Sequence, residues 1–124
     1  MCFYRKTGIV EVQGDASVAG ERVALPQGTL DLLILRTLRL RPEHGWAIAE
    51  RVQQISGEVL QIPQGSLYPA LHRLERRGLI KSGWTTAEGR RRRVYRLTAR
   101  GRRELEDKAR EWRAFARVVD GVLP

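Results

Sequence analysis

Apolar residues recur at helical spacing in three successive stretches of the chain. The stretches run from about Gly28 to Leu40, from about Trp46 to Ile55 and from Gln64 to Gly78. Residues at positions i, i+3, i+4 and i+7 share one face of a helix, so each stretch predicts an amphipathic helix. In the second stretch the predicted core face consists of Ile48, Val52 and Ile55.

The first predicted helix carries apolar residues on two sides. Its main apolar face consists of Leu30, Leu33, Ile34, Thr37 and Leu38. Leu32 and Leu35 lie nearly opposite, beside Arg36 and Arg39. An ordinary surface helix has a single apolar stripe. The second patch therefore predicts that this helix contacts its own domain on one side and another surface on the other.

The third predicted helix divides into a buried face and an exposed face. Leu67, Leu71 and Leu74 fall at i, i+4 and i+7 and are predicted to face the core. Ser66 is predicted to be the N-cap, which places Pro69 in the first turn, where a proline costs little. The predicted exposed face and its flanks consist of Gly65, Ser66, Tyr68, Pro69, His72, Arg73 and Arg76.

A β-hairpin is predicted after this helix, with strands over Leu79–Trp84 and Arg92–Leu97 joined by a turn over Thr85–Arg91. Helices that lead into a hairpin are the order of a winged helix-turn-helix. The predicted fold is thus mainly α with a small β-hairpin, and residues 26–97 are predicted to form a winged helix-turn-helix, an architecture that commonly binds DNA. The residues predicted to face the core or close the hairpin base are Ile80, Val94 or Leu97, Trp84 and Tyr95, with Trp46 from the second helix.

A long last helix is predicted after Thr98, which is a favourable N-cap residue. Its apolar residues are spaced alternately by four and three, a heptad pattern about two turns longer than a small domain needs. Residues 98–124 are therefore predicted to be a dimerisation helix, with the second patch of the first helix as its neighbour. The predicted dimer interface consists of Leu105, Ala109, Trp112, Phe115, Ala116 and Val119, widened by Val118.

The remaining features bound the setting of the protein. Residues 1–25 are predicted to be a loosely held N-terminal arm. A single cysteine, Cys2, excludes an internal disulfide and a cysteine metal cluster, which favours a reducing cytoplasm. No apolar run is long enough to span a bilayer, and the N-terminus lacks the apolar stretch of a signal peptide. We therefore expect a cytoplasmic protein that uses no cofactor and does not associate with a membrane.

The net charge of +9 is concentrated in one part of the chain. Residues 61–103 contain twelve Arg or Lys residues and two acidic residues, whereas the charges nearly balance elsewhere. A surface that needed only solubility would scatter its charges. The third helix and the hairpin are therefore predicted to form a cationic surface for a polyanion, and nucleic acid is the usual one.

Several short motifs occur together at fixed spacings. They are Gly28-Thr-Leu-Asp-Leu-Leu-Ile-Leu35, His44-Gly-Trp46, Gln64-Gly-Ser-Leu-Tyr-Pro-Ala-Leu71, Arg73-Leu-Glu75, Gly78-Leu-Ile80 and Tyr95-Arg-Leu-Thr98. With these motifs the chain resembles the PadR family of bacterial transcriptional regulators from about Leu25 to Val119. It looks most like the smaller members, which have a single C-terminal helix for dimerisation.

The resemblance implies a winged-helix homodimer that binds a palindromic operator in double-stranded DNA, usually as a repressor. Many family members release DNA on sensing a small, often aromatic, molecule. The family's DNA-contacting Ser/Thr-Leu-Tyr motif falls on Ser66, Leu67 and Tyr68, and its basic wing falls on the arginines from 90 to 93. The arm before residue 26 has no counterpart in the resemblance.

Each candidate DNA-binding residue also has a structural interpretation. Tyr68 can donate to a phosphate, or it can be a half-buried packing residue. Arg73, Arg76 and His72 can contact DNA, or they can form a solvated helix face. Four adjacent arginines repel one another unless an anion or solvent screens them, which favours contact with the DNA backbone. The predicted set is Ser66, Tyr68, His72, Arg73, Arg76, Arg90, Arg91, Arg92 and Arg93.

Trp112 is the candidate ligand-binding residue. Across a two-fold axis it would approach its own copy. Two facing indoles can stack on a small planar aromatic effector, or they can be ordinary interface packing.

Two other kinds of protein stay open as alternatives: an RNA- or ribosome-associated winged helix, and a protein-interaction module whose basic stretch docks an acidic partner. An enzyme is not expected. His44 and His72 are the only histidines, and neither a nucleophile at useful spacing nor a phosphate loop accompanies them.

Overall fold

The computed structural model describes Leu25 and residues 28–124, which form four helices and a three-stranded antiparallel sheet. The helices are α1 (Thr29–Leu40), α2 (Gly45–Ile55), α3 (Gln64–Arg76) and α4 (Ala99–Val122). The strands are β1 (Glu43–His44), β2 (Ile80–Ala87) and β3 (Arg90–Leu97). The predicted fold class is confirmed, while the predicted arm over residues 1–25 lies outside the described residues except for Leu25.

The core lies between the first three helices and the base of the hairpin. Each fully buried Leu or Ile side chain stabilises the fold by roughly 1.5–3 kcal/mol. The leucines predicted to form the inner face of α3, at 67, 71 and 74, are all buried. The buried core residues are Ile34, Leu35, Leu38, Ile48, Val52, Ile62, Leu67, Ala70, Leu71, Leu74, Leu79, Ile80, Tyr95 and Leu105.

Two predicted positions of aliphatic residues in the helices are wrong. Leu35 was assigned to an outward patch of α1 but is fully buried, because α1 packs against α2, α3, α4 and β3 of its own chain. Ile55 was assigned to the core but is 57% exposed. It is the last residue of α2, and the chain turns away there through Gly57 and Glu58, which both have positive φ.

The start of α3 also differs from the prediction. Pro63, not Ser66, occupies the N-cap position, and its carbonyl accepts from the backbone N–H of Ser66 at 3.0 Å and of Leu67 at 3.1 Å. Pro69 therefore lies inside the helix. The N–H that a proline lacks would have bonded the Gly65 carbonyl, and Gly65 is exposed, so water can replace that bond.

The hairpin is longer than predicted, and a third strand joins it. β2 and β3 pair from Ile80 opposite Leu97 out to Ala87 opposite Arg90. Glu88 and Gly89 make the turn with φ of 53° and 75°, and two positive φ values suit a tight two-residue hairpin. β1 pairs with the other edge of β3, so the sheet is not the two-stranded hairpin of the prediction.

α4 begins where the sequence predicted. The Thr98 hydroxyl accepts a hydrogen bond from the Gly101 N–H at 2.9 Å, which satisfies one of the free donors of the first turn. The helix has 24 residues, and within it only Gly101 and Leu105 are buried. In the part of the chain that the structure describes, no helix is both long enough and apolar enough to cross a membrane.

Candidate nucleic-acid interface

The outer face of α3 is presented to solvent by the leucines on its inner face. The predicted residues Ser66, Tyr68, His72, Arg73 and Arg76 are all exposed. A helix held rigidly on one side by buried leucines can offer the other side to a ligand without losing its shape. The predicted division of α3 into two faces is confirmed.

This outer face and the hairpin meet in an open cleft of about 480 Å³. α3 contributes Tyr68 and His72, and the start of α2 forms a third wall. None of the lining residues is acidic. The cleft is lined by His44, Gly45, Trp46, Tyr68, His72, Arg90, Arg92, Arg93 and Tyr95. Arg90, Arg92 and Arg93 line this cleft, and of the three only Arg93 lies near a carboxylate, that of Glu75. The excess of positive charge makes the cleft a surface for anions.

Tyr68 packs on α2 while leaving part of its side chain open. A Cβ atom placed on Gly45 would lie 2.9 Å from Cε1 and 3.1 Å from the hydroxyl oxygen of Tyr68, so the ring rests on the bare backbone of the glycine. Tyr68 is nevertheless 39% exposed. The ring therefore packs on α2 while the side chain also reaches the cleft, and contact of its hydroxyl with a phosphate stays a prediction.

Trp46 lines the cleft, and the prediction that it lies in the core or at the base of the hairpin is wrong. It is 47% exposed, and its ring lies nearly parallel to that of His44, with centroids 6.3 Å apart and planes 7° apart. It is the second residue of α2, where Ala47 and Ile48 already fill the inward direction. The sequence feature that could have indicated this exposure is the motif His44-Gly-Trp46, which places the tryptophan at the start of a helix.

The predicted arginines of the interface have different partners. Arg73 donates to Asp31 of α1 at 2.8 Å. Arg93 donates from Nε to the Ser82 hydroxyl at 3.0 Å, and its Nη2 lies 3.9 Å from Oε1 of Glu75. Within the described residues, the side chains of Arg76, Arg90 and Arg92 have neither a hydrogen bond nor an ion pair. Exposed ion pairs contribute about 0–1 kcal/mol, so even Arg73 can exchange its partner for a phosphate.

Trp84 was predicted to close the hairpin base, and the structure contradicts this. Trp84 is 57% exposed, and the guanidinium carbons of Arg91 and Arg93 lie 4.6 Å and 5.5 Å from its ring centroid. Since both strands extend beyond their predicted ends, Trp84 lies midway along the hairpin.

The base of the hairpin is closed by Tyr95, as predicted. Its side chain is buried, and burial raises the pKa of its phenol. The positive charge of Arg93 acts in the opposite direction. Ile80, on the same face of the sheet, is also buried, whereas Val94 and Leu97 are half-buried.

The predicted dimerisation surface on α4 is largely open. Leu105 is buried, whereas Trp112 is 41% and Phe115 62% exposed. The rings of Trp112 and Phe115 are 6.5 Å apart and tilted by 46°. With Leu32 of α1 they line a groove of about 320 Å³. The half-buried residues of the predicted interface are Ala109, Ala116 and Val119.

Comparison with known proteins gives consistent results. Residues 34–107 match the family described as "Transcriptional regulator PadR-like family". A transcriptional regulator from Clostridium thermocellum has a similar structure, with a TM-score of 0.74 and 31% identity over 79% of this chain and 96% of that chain. A transcriptional regulator from Mycobacterium tuberculosis is 44% identical over 69 residues, which are 56% of this chain and 64% of the relative.

Bacillus subtilis PadR, whose structure was solved in complex with operator DNA, is also similar, with a TM-score of 0.60 and 27% identity over 68% of this chain and 48% of that chain. Members of the family are transcriptional regulators and not enzymes. The family match covers more than half of the chain, and the four helices with their small sheet agree with it. The chain therefore belongs to the PadR-like family of transcriptional regulators.

Proposed function

We propose that the protein is a homodimeric repressor that binds a palindromic operator in double-stranded DNA. The observation that carries this proposal is the cleft in which the outer face of α3 and the arginines of the hairpin come together without an acidic residue. A recognition helix beside a cationic wing is the arrangement that places one element in the major groove and the other along the backbone.

In this proposal α3 enters the major groove and the hairpin follows the flanking phosphates. Arg76, exposed and without a partner among the described residues, is available for guanine edges. Arg90, Arg92 and the Tyr68 hydroxyl contact the backbone and fix the register of the protein on the duplex. The operator complex of the similar Bacillus subtilis PadR supports DNA as the ligand.

The apolar end of α4 supports the dimer. Phe115, Val118, Val122 and Leu123 are each more than half exposed, and a contiguous apolar surface of this kind marks an interaction site. Pairing through α4 would relate two copies of α3 by a two-fold axis. The two half-sites would then lie about one helical turn apart, ~34 Å, which explains a palindromic operator.

The groove between α1 and α4 supports a response to a small planar aromatic molecule. Trp112, Phe115 and Leu32 give it aromatic and apolar walls, and an aromatic ligand can stack there. A ligand that prefers one arrangement of the paired α4 helices changes the spacing of the two α3 helices. It then shifts the dimer between DNA-binding and DNA-free forms.

Titration of a labelled duplex from the DNA upstream of the gene, at several salt concentrations, tests the proposal. The logarithm of the binding constant should fall linearly with the logarithm of the salt concentration. The double variant Arg90→Ala/Arg92→Ala should lower that slope by about two for each protomer. The matched control, Arg110→Ala/Arg117→Ala, removes the same charge from exposed positions on α4 and should leave the slope nearly unchanged.

Three outcomes would overturn the proposal. Binding that does not weaken with salt would exclude the arginine contacts. Equal competition by duplex RNA of the same sequence would favour the RNA-associated alternative, and no binding to either nucleic acid at low salt would favour a protein partner. Repression is tested separately, by adding the protein to transcription from the upstream promoter and measuring a fall in transcript.

A further inference from the structure

The hairpin carries an exposed tryptophan between two arginines, and no DNA-binding contact described above requires it. Trp84 lies directly opposite Arg93, and Thr86 lies opposite Arg91. Paired residues share a face of a sheet and alternate residues return to it. Trp84, Arg91 and Arg93 therefore project from one face of the hairpin, while Arg90 and Arg92 project from the other.

Contacts connect this face of the hairpin to α3. The Ser82 hydroxyl donates to the Glu75 carboxylate at 2.7 Å and accepts from Nε of Arg93 at 3.0 Å. The Arg93 guanidinium lies over the Trp84 ring, and so does that of Arg91. The connection therefore runs from α3 through Ser82 and Arg93 to the indole, and from the indole to Arg91.

We propose that Trp84 is a positioning residue of the DNA-binding surface, an inference that rests on the proposed function. Its indole supports the guanidinium groups of Arg91 and Arg93, and so holds both side chains in the orientation in which they meet the backbone of a bound duplex. Arg93 also fixes the angle between the hairpin and α3 through Ser82 and Glu75.

The physical reason is the conformational freedom of arginine. An arginine loses much rotamer freedom when it is immobilised, and a binding reaction must supply that cost unless the side chain is already held. A flat guanidinium suits the face of an indole, and this attraction holds it even at an exposed site. The hairpin thus presents two arginines that are ordered before DNA arrives.

Duplex binding by the variant Trp84→Leu tests this role, because leucine keeps an apolar side chain and removes the aromatic face. We expect roughly tenfold weaker binding for each protomer, from the cost of ordering Arg91 and from the loss of the indole beneath Arg93, which Ser82 and Glu75 still hold in part. Trp84→Phe should lie between wild type and Trp84→Leu. Thr85→Ala, one residue away on the other face, serves as the control and should bind as wild type does. Trp84 is exposed, so the thermal melting of all these variants should match wild type.

A double-mutant cycle separates positioning from direct contact. In a background of Arg91→Ala/Arg93→Ala, the substitution Trp84→Leu should have no further effect on binding, because the groups that it positions are gone. An equal loss in both backgrounds would show that the indole itself contacts DNA, and no loss in the wild-type background would show that it has no role. Either result overturns the proposal.

A spectroscopic measurement on the free protein distinguishes failure of this inference from failure of the proposed function. The side-chain protons of Arg91 beside the indole should show an upfield ring-current shift in NMR spectra, and Trp84→Leu should abolish it. Absence of this shift overturns the stack in a protein that binds DNA normally. A wild-type protein that shows the shift but binds no duplex would refute the proposed function, and with it the DNA role of Trp84.

Discussion

Two regions of the molecule expose side chains that are available to a partner. One is α3 with the hairpin, which rests on the core, and the other is the distal part of α4, which does not. We call the first the head (Gln64–Arg76 with Ile80–Leu97) and the second the tail (residues 106–122). The head exposes cations above buried leucines, whereas no residue of the tail is buried within the described part of the chain. The head is therefore built by its own chain, while the tail has an apolar surface that its own chain does not cover.

This difference predicts opposite responses to substitution. A change on the exposed surface of the head should alter binding to DNA and leave folding alone, because the core beneath it is complete. A change on the apolar surface of the tail should alter association first, and DNA binding only through association. The contrast is sharpest within α4, since Leu105 belongs to the core and the residues after it do not.

The largest effect is expected from placing charges on the tail. The variant Phe115→Glu/Val122→Glu puts two carboxylates on exposed apolar positions. If these positions are buried in a dimer, each uncompensated charge costs several kcal/mol, so the dimer should weaken by at least about a thousandfold. Sedimentation velocity should then show monomers, and binding to the full operator should be lost with them.

The control for this variant moves the same charges by one position. Ala114→Glu/Gly121→Glu adds two carboxylates at neighbouring exposed positions of the same helix. A dimer that tolerates the control and not the test variant places its interface on the predicted side of α4. A test variant that remains dimeric contradicts the proposed interface, and a wild-type protein that is monomeric contradicts dimerisation itself.

A smaller but still large effect is expected at the junction of head and tail, from Gly101→Ala. A Cβ at Gly101 would lie 2.0 Å from the Leu79 carbonyl oxygen and 2.8 Å from Leu97 Cδ1. That oxygen cannot easily retreat, because the Thr98 N–H donates to it at 3.1 Å. The added methyl group would push α4 away from the hairpin base, so Gly101→Ala should lower the free energy of unfolding by about 3 kcal/mol. Urea denaturation measures this change.

The same substitution in the tail should act in the opposite direction. A Cβ at Gly121 meets no atom within 4 Å in the described chain, and alanine is the better helix former. Gly121→Ala should therefore leave the stability unchanged or raise it by up to about 1 kcal/mol. Equal effects at the two positions would refute the separation of α4 into a packed start and an open end.

The sequence allowed much of the head to be predicted, because its features are periodic or concentrated. Leucines at i, i+4 and i+7 defined the buried face of α3, and the run of arginines marked the wing. Thr98 was correctly identified as a cap because capping depends on residues close in sequence. Each of these signals is local, and the structure confirms the buried face of α3, the hairpin that carries the arginines and the cap, while the DNA contacts of the arginines stay a prediction.

Most of the failures depend on contacts distant in sequence, whereas the misplaced N-cap of α3 is a local one. β1 has two residues, too few for a period, and exists only because β3 lies beside it. A single tryptophan also gives no periodic pattern from which its exposure can be predicted. The exposure of Trp46 depends on where α2 begins, and that of Trp84 on how far β2 extends. The pairing of Arg73 with Asp31 joins residues 42 positions apart, and no local pattern indicates it.

The smallest expected effect on DNA binding concerns the support of one side chain in the head. Gly45→Ala would place a methyl group 2.9 Å from Tyr68 Cε1, at the outer end of a side chain that can rotate away. The fold should keep its stability, because alanine suits the first turn of α2 better than glycine does. The displaced hydroxyl would lose about 1 kcal/mol of contact with a phosphate, so duplex binding should weaken about fivefold.

Tyr68→Ala should cost at least as much, and Gly45→Ala should have no further effect in that background. If Gly45→Ala weakens binding equally when Tyr68 is absent, the glycine acts on DNA directly, through the start of α2, and the head then reads the backbone with three elements instead of two.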